Sequence, residues 1–545
     1  MEYTKKSLYF FLIPLVLLMG ACLIHVSRVP YSDYAGYYFG GRELLAGNYV
    51  HAYDMQYLND LIASRGYRGV FVSYAPFPPS TALVFAPFLL FPMGLSKLLF
   101  DGASCLLFLF TLLRSSRYFS ISPTLLLVLP VIFFIPIVNN VFFGQSYLLL
   151  CCLLLEGFIA YKQDRAALSS LLWALAILLK VFPGVIFLFL LLRRKYRQTL
   201  WLAAACLLLL AISLLSTGWD GWKYYITEVL PKVNNGELND SFTFVFQSAF
   251  MLLKKAFVFD ALLNPHPLAQ KPYLFLIGTG VFKALVLSAC VMVTLRATAP
   301  VADGPDPARS GDEFRAFAVW IMGSMLISPN GSSYSLVLLV IPFLALCSSG
   351  ARPRAVVFPA MVLLAACNIP VSWFGQFPLC LQFPRLYLLL VFFGLLLPLR
   401  KAWNPVVTAG LILLFVIPAL LRHREDKDTS TYFLAKEEHI FIYDYTMKDG
   451  QLVYSYQDET GRHTVATGVA AQTISDKGLE IRGRQIFYHG IQVTFSTDTK
   501  KKPMLVDGSY ILYLSDKNRG PGFYTLRKLT PAGVGKDGPA AFLSF

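Results

Sequence analysis

The chain has 545 residues, of which 56% are hydrophobic and only 14% charged. Soluble domains run nearer about 45–50% apolar and about 25% charged, so the composition excludes an ordinary soluble protein and points to the membrane class. The formal net charge of +15 comes from basic residues scattered through short loops, which speaks against a nucleic-acid interface and for Lys and Arg gathered at cytoplasmic ends of spans.

In chain order, Lys5-Lys6 precede an apolar run from Leu8 to Val26. It resembles a signal peptide but is long for one, and no small-residue cleavage site closes it. The expectation is a retained first span with its N-terminus inside. Residues 28–79 form a polar loop rich in Tyr, Gly and Asp, placed outside by that orientation. Residues 80–92 are apolar, short and bounded by proline, as an interfacial or re-entrant piece would be. A span needs about 20 apolar residues. Leu95–Leu113 supplies the second and ends on Arg114 and Arg117; Lys97 and Asp101 share one face of it and can neutralise each other. Further spans are expected at 121–138, 143–161, 198–217, 273–296, 314–327, 335–348, 355–369, 385–399 and 405–421.

Residues 166–192 are apolar except for the interruption Lys180-Val181-Phe182-Pro183, and both flanks, Lys162/Arg165 and Arg193–Arg197, are basic. Two short helices in a hairpin, with Lys180 near the outer tip, account for that pattern. A second outer loop covers 218–272, and 298–313 is polar and cytoplasmic. Composition changes at Arg422. Turn signals such as Lys448-Asp449-Gly450, Asp476-Lys477-Gly478 and Asp507-Gly508 then separate alternating runs, including Leu452–Tyr456, Gln485–His489, Gln492–Phe495 and Tyr510–Leu514. The expected fold is an all-α polytopic membrane domain, 1–421, with about 11–13 transmembrane helices, followed by an all-β soluble domain, 422–545. With about thirteen crossings the β domain lies outside.

No P-loop, GxGxxG, HExxH or GxSxG occurs. The nine cysteines all precede residue 381 and form no CxxC pair, so they read as small buried hydrophobes. Charges inside spans, here Lys283 and Glu156, are costly and default to functional or paired roles. The most informative stretch runs from Tyr31 to Asp54. It sets Asp33 just outside the first span beside Tyr34, Tyr37 and Tyr38. Tyrosines there also suit an aromatic belt; an acid among them suits sugar transfer at the membrane surface.

That stretch resembles the opening motif of glycosyltransferase family 87, the polyprenol-phosphate-sugar-dependent mannosyltransferase type of the GT-C superfamily. Phe71-Val-Ser-Tyr74-Ala-Pro76-Phe-Pro78-Pro79 is similar to the family's Tyr-Pro-Pro segment, Asn140–Gln145 to its Asn-Gly-Gln turn, and Leu178-Leu-Lys180-Val-Phe-Pro183 to its Leu-Lys-x-x-Pro hairpin. Trp222–Tyr225, Val229-Leu-Pro231 and Phe246-Gln247-Ser248 resemble its second outer loop, and Ser328-Pro329 its late Ser-Pro turn. The chain departs from the pattern at Tyr334-Ser335, where the family commonly has a His pair, and at Phe246, where it has Asn. The resemblance covers about residues 10–400 and leaves the β domain outside.

It implies a membrane hexosyltransferase that moves a sugar, mannose favoured, from a polyprenyl-phosphate donor in the bilayer to a hydroxyl of a glycan or glycolipid on the outer face of a bacterial inner membrane, with inversion. Asp33 would be the general base. Tyr37, Tyr38, Tyr74, Gln145, Lys180, Gln247 and Tyr334 would bind substrate, with Lys180 first for the leaving phosphate and Arg65 or Arg68 behind it. Arg42 and Glu43 read as structural, and Asp54, the rival acid, as a helix cap. Such a donor carries its own leaving group, so no redox cofactor is needed, and no acidic cluster is built for a divalent cation. A transporter or lipid-linked-sugar flippase is the alternative, with Lys180 in one of its broken helices; a membrane sensor with a ligand-binding β domain is a third class.

Overall fold

The computed structural model describes residues 10, 12–26, 33–67, 70–122, 124–237, 241–298, 307–348, 354–397, 404–422, 429–434, 441–458 and 461–530. Lys5, Lys6, Arg28, Arg68 and Lys401 lie outside the described residues.

Helices dominate up to Arg422. Among the described residues three are long and apolar enough to cross a bilayer, Met93–Tyr118, Tyr196–Thr217 and Pro272–Ala297. Thr124–Ile132 and Phe134–Phe143 pass the same test together, bent by 64° at their break. Seven shorter apolar helices of 10–17 residues accompany them, among them Ile13–Val26, Ala166–Leu179, Pro384–Leu396 and Pro405–Leu421. The span expected at 121–138 is therefore this bent pair. Pro136 has no N–H to return to the preceding turn. The side chain of Asn368 fills the gap: Nδ2 donates to Val131 O at 2.9 Å, and Oδ1 accepts from Ile135 N at 3.0 Å. Residues 80–92 form a short helix, Thr81–Phe85, and one turn, Phe88–Leu90, too short to span.

The hairpin expected at 166–192 is present. Ala166–Leu179 ends at Lys180, whose backbone is extended; a turn at Phe182–Gly184 follows, then Val185–Leu192. Both basic flanks return to one carboxylate: Lys162 Nζ reaches Glu313 Oε2 at 2.6 Å and Arg193 Nη2 reaches Glu313 Oε1 at 2.9 Å. The carbonyls left open at the break are satisfied from the first loop. Ser80 Oγ donates to Leu178 O (2.7 Å) and Thr81 Oγ1 to Leu179 O (3.2 Å).

Two further ion pairs lie among these helices. Lys97 and Asp101 meet at 2.6 Å, and Arg114 and Glu156 at 2.7 Å. Lys283 pairs with no carboxylate among the described residues.

Eleven strands follow: β1 Thr431–Tyr432, β2 Phe441–Lys448, β3 Gln451–Asp458, β4 Gly461–Ala470, β5 Ile474–Ser475, β6 Leu479–Arg482, β7 Gln485–Tyr488, β8 Ile491–Gln492, β9 Lys500–Val506, β10 Tyr510–Ser515 and β11 Thr525–Leu529. They make an antiparallel five-stranded sheet in the order β1-β11-β10-β9-β5 and two three-stranded sheets, β2-β3-β4 and β6-β7-β8. The two-residue turns Asp449-Gly450 and Asp507-Gly508 have positive φ at both positions, the twist a tight hairpin needs. The run expected at Gln492–Phe495 pairs only at Ile491–Gln492, because Thr494 turns inward: its hydroxyl accepts from Ile486 N and donates to Gln485 Oε1.

The β region docks on the two loops 33–79 and 218–272, largely through charge. Lys501 meets Asp54 at 3.2 Å, Arg462 meets Asp60 at 3.4 Å, Asp516 takes Lys232 at 3.0 Å, and Arg484 pairs with Glu228. Tyr432 and Asn518 donate to Asp260 at 3.0 and 2.6 Å. These contacts seat the β region on both loops, the first of which begins at Asp33.

Candidate functional site

Asp33 opens the helical stretch that follows the first apolar helix, and a π-helical turn, Gly36–Gly40, continues it. Tyr37 is buried there between Phe77 and Phe85, each ring centroid 4.3 Å away. Stacked aromatic pairs are worth about 0.5–1.5 kcal/mol each beyond their buried area, so the start of this helix is held rigidly.

Gln145 joins the acid to that frame. Its Nε2 donates to Asp33 Oδ2 at 2.8 Å, and its Oε1 accepts from the Tyr37 hydroxyl at 3.0 Å. The backbone places it through Gly144, which sits at φ 64° as the left-handed cap of Phe134–Phe143. A Cβ at Gly144 would lie 2.7 Å from Tyr34 Cβ, so both conformation and space require glycine. Lys97 Nζ braces the same turn by donating to Val141 O at 2.7 Å. Among the described residues no group bonds Asp33 Oδ1. Burial holds the Asp33 carboxyl above the usual carboxylate range, and the Gln145 hydrogen bond and the positive fields of Lys180 and Lys97 oppose that shift.

Lys180 is buried at the hairpin break. Its ammonium lies 3.9 Å from the Phe77 ring centroid and 4.8 Å from that of Tyr147. Between two desolvated rings such a contact is worth about 2 kcal/mol or more. No carboxylate lies at ion-pair distance among the described residues; Asp33 acts on it through space. Tyr334 packs on Tyr147 with centroids 5.4 Å apart and lies within electrostatic reach of Asp33. Asn140 Nδ2 donates to Tyr334 O at 2.8 Å, and Asn139 Nδ2 to Ser333 Oγ at 2.7 Å.

Of the residues expected to form the site, Asp33, Tyr37, Gln145, Lys180 and Tyr334 therefore come together. Three do not reach Asp33 through any of the contacts above. Tyr38 donates to Phe91 O at 2.9 Å and carries the Arg42 guanidinium 4.4 Å over its ring, because consecutive helical residues point in different directions. Tyr74 packs on Tyr53 and Phe77, with centroids 5.5 Å from each. Gln247 is a clip between loops: Nε2 donates to Phe244 O and Gln382 O, Oε1 accepts from Arg385 N, and its own N–H donates to Gly331 O. Beside it, Ser248 Oγ donates to Pro329 O at 2.7 Å, so the 246–248 and 328–329 segments meet in space.

Asp54 caps Met55–Ser64 by accepting from Tyr57 N at 3.0 Å. Sequence reasoning missed Tyr147, Phe77 and Asn140, which line or brace the cluster. Only the position of Tyr147 just after Gln145-Ser146, at the start of a helix, hinted at it.

The long apolar helices around this aromatic and charged cluster are those of an integral membrane protein. Residues 75–329, just under half of the chain, match Glycosyltransferase family 87, which supports membership of that family and glycosyltransferase activity. Gln145, Lys180 and Gln247 fall inside the matched residues, and Asp33, Tyr37, Tyr38, Tyr74 and Tyr334 outside them. No curated protein and no solved structure matches the chain.

Proposed function

We propose that the protein transfers a hexose, mannose favoured, from a polyprenyl-phosphate-linked donor to a hydroxyl of a glycan or glycolipid on the outer face of a bacterial inner membrane, with Asp33 as general base. The observation that carries this reading is the Asp33 carboxylate, held among the described residues by Gln145 through one oxygen and acting through space on the Lys180 ammonium, which has no carboxylate at ion-pair distance among those residues. Asp33 takes the acceptor proton as the hydroxyl oxygen attacks the anomeric carbon; the sugar–phosphate bond breaks on the opposite side, which inverts that carbon. Such a positioned base contributes about 10²–10⁴-fold. Lys180 offsets the charge that develops on the departing phosphate. Tyr37 and Tyr334 border the acceptor side.

Within the same reading, the fold is of GT-C type with about 11–13 crossings. The β region is an extracytoplasmic accessory domain that shields the site or holds the acceptor, and its ion pairs with Asp54, Asp60 and Glu228 of the two loops support that reading. Purified full-length protein in nanodiscs, given a panel of polyprenyl-phosphate sugars and glycolipid acceptors, should consume one donor and release polyprenyl phosphate. Movement of intact lipid-linked sugar between leaflets without cleavage would favour a flippase instead.

A further inference from the structure

We infer that Arg385 is the hydrogen-bonding anchor for the phosphate of the lipid-linked donor, in a cavity that adjoins the Asp33 cluster; this rests on the donor reading above. Arg385 stands at the first turn of Pro384–Leu396, an apolar helix of 13 residues, and is only 5% exposed. Its Nη2 donates to Ile369 O at 3.0 Å, but its Nε has no partner and no carboxylate pairs with it among the described residues. A buried, uncompensated guanidinium is costly unless an anion completes it. The planar fork of Arg suits phosphate, and a helix N-terminus adds backbone dipoles of the right sign.

The cavity it lines measures about 40 Å³, room for about three water-sized positions and thus for a phosphate group but not a hexose. Ser328 and Asn330 supply polar groups on its wall; Asn330 Oδ1 is buried without a partner, and with the amide turned over its Nδ2 becomes a donor to the phosphate. The rest of the lining is mostly apolar, including Leu386 and Leu389. On the same helix Tyr387 and Val391 are exposed. A polar pocket opening along apolar side chains fits a phosphate with a hydrocarbon tail better than a free anion. Tyr147, which also lines the cavity, carries the Lys180 ammonium over its ring, so a phosphate seated here shares Tyr147 with the lysine proposed for the leaving group.

The test titrates full-length protein in detergent with polyprenyl phosphate, the uncharged polyprenol of equal length, and inorganic phosphate. Arg385→Gln should weaken polyprenyl phosphate binding by about tenfold to a hundredfold and leave polyprenol binding unchanged, with Arg385→Lys recovering part of the loss. Asn330→Leu, at a half-exposed position, should block the same ligand and decides the matter if Arg385→Gln does not fold. Wild-type-like binding of polyprenyl phosphate by these variants would overturn the assignment while leaving the donor reading standing. Inorganic phosphate bound as tightly as the lipid, with the same dependence on Arg385, would reduce the site to a free-anion site and overturn it too. A wild-type protein that does not prefer polyprenyl phosphate to polyprenol would sink both the assignment and the donor reading.

Discussion

Replacing Gln145 by Leu separates the acid from its holder without touching the acid. In the structure one amide does two things: Nε2 donates to Asp33 Oδ2 at 2.8 Å, and Oε1 receives the Tyr37 hydroxyl at 3.0 Å. The amide favours the charged carboxylate against burial, which is the larger influence and raises the pKa. Losing a hydrogen bond to a charged partner costs about 1.5–3 kcal/mol, and each pH unit corresponds to about 1.36 kcal/mol. Without that hydrogen bond the Asp33 pKa should therefore rise further. A general base works only when deprotonated, so activity falls as pH drops through its pKa. The acid limb of the kcat/KM profile should accordingly move to higher pH in Gln145→Leu, while donor affinity changes little. The assay is initial rate against pH with the donor identified by the substrate panel, wild type and variant side by side. An acid limb that stays in place while the rate drops would mean that Gln145 acts on substrate directly; an unchanged rate and an unchanged limb would remove it from the site.

Lys180→Ala should weaken donor binding by about tenfold to somewhat over a hundredfold, the range for losing a charged hydrogen-bonding partner, with little change in acceptor KM; unchanged donor affinity would return Lys180 to a structural role at the hairpin tip. Asp54→Asn should keep the cap, since Asn caps as well as Asp, and lose only a partly exposed pair with Lys501 worth about 0–1 kcal/mol; activity within about fivefold of wild type is expected, and a dead variant would transfer the role of base to Asp54. In the β region, burial pushes Asp498 upward, but Lys500 at 3.3 Å and the Ser515 hydroxyl at 2.6 Å outweigh it and hold the carboxyl below its usual range. Its contribution to stability is thus present above the unfolded value of about 3.9 and is lost as pH falls through the lower folded value. Asp498→Asn should destabilise the β region at neutral pH by about 3–5 kcal/mol, measured by denaturant unfolding, and a midpoint unchanged at pH 7 would refute the pairing.

Local chemistry made some features legible in the sequence. A lysine and a proline inside an apolar run announced the break at Lys180. A Gly-Asn turn upstream of Asp54 announced a cap, and Asp-Gly pairs announced the hairpins. Features set by contacts across the chain were not legible. Tyr37 and Tyr38 are adjacent in sequence, and only packing against Phe77 and Phe85 decides which of them faces Gln145. Nothing in the sequence shows that Gln382, Arg385 and Gly331 take up the hydrogen bonds of Gln247, which also lines the cavity at Arg385. Gly331 itself has to be glycine, since a Cβ there would lie 2.9 Å from Gln247 O. Arg385 read as the edge of a span, because nothing local signals that no carboxylate waits for it. The side on which the β region lies hung on counting crossings, and its contacts with the loops 33–79 and 218–272 were not legible at all.

Everything above depends on Asp33, and its amide variant isolates it. Asp33→Asn keeps the shape and still accepts a hydrogen bond from Gln145 Nε2 through its carbonyl oxygen, but it can no longer take a proton. Single-turnover transfer from the polyprenyl-phosphate sugar should slow by about two to four orders of magnitude, the range for a lost general base, with donor affinity nearly unchanged. Transfer by Asp33→Asn at close to the wild-type rate, in protein that binds the donor normally, would contradict the assignment of Asp33 as the base.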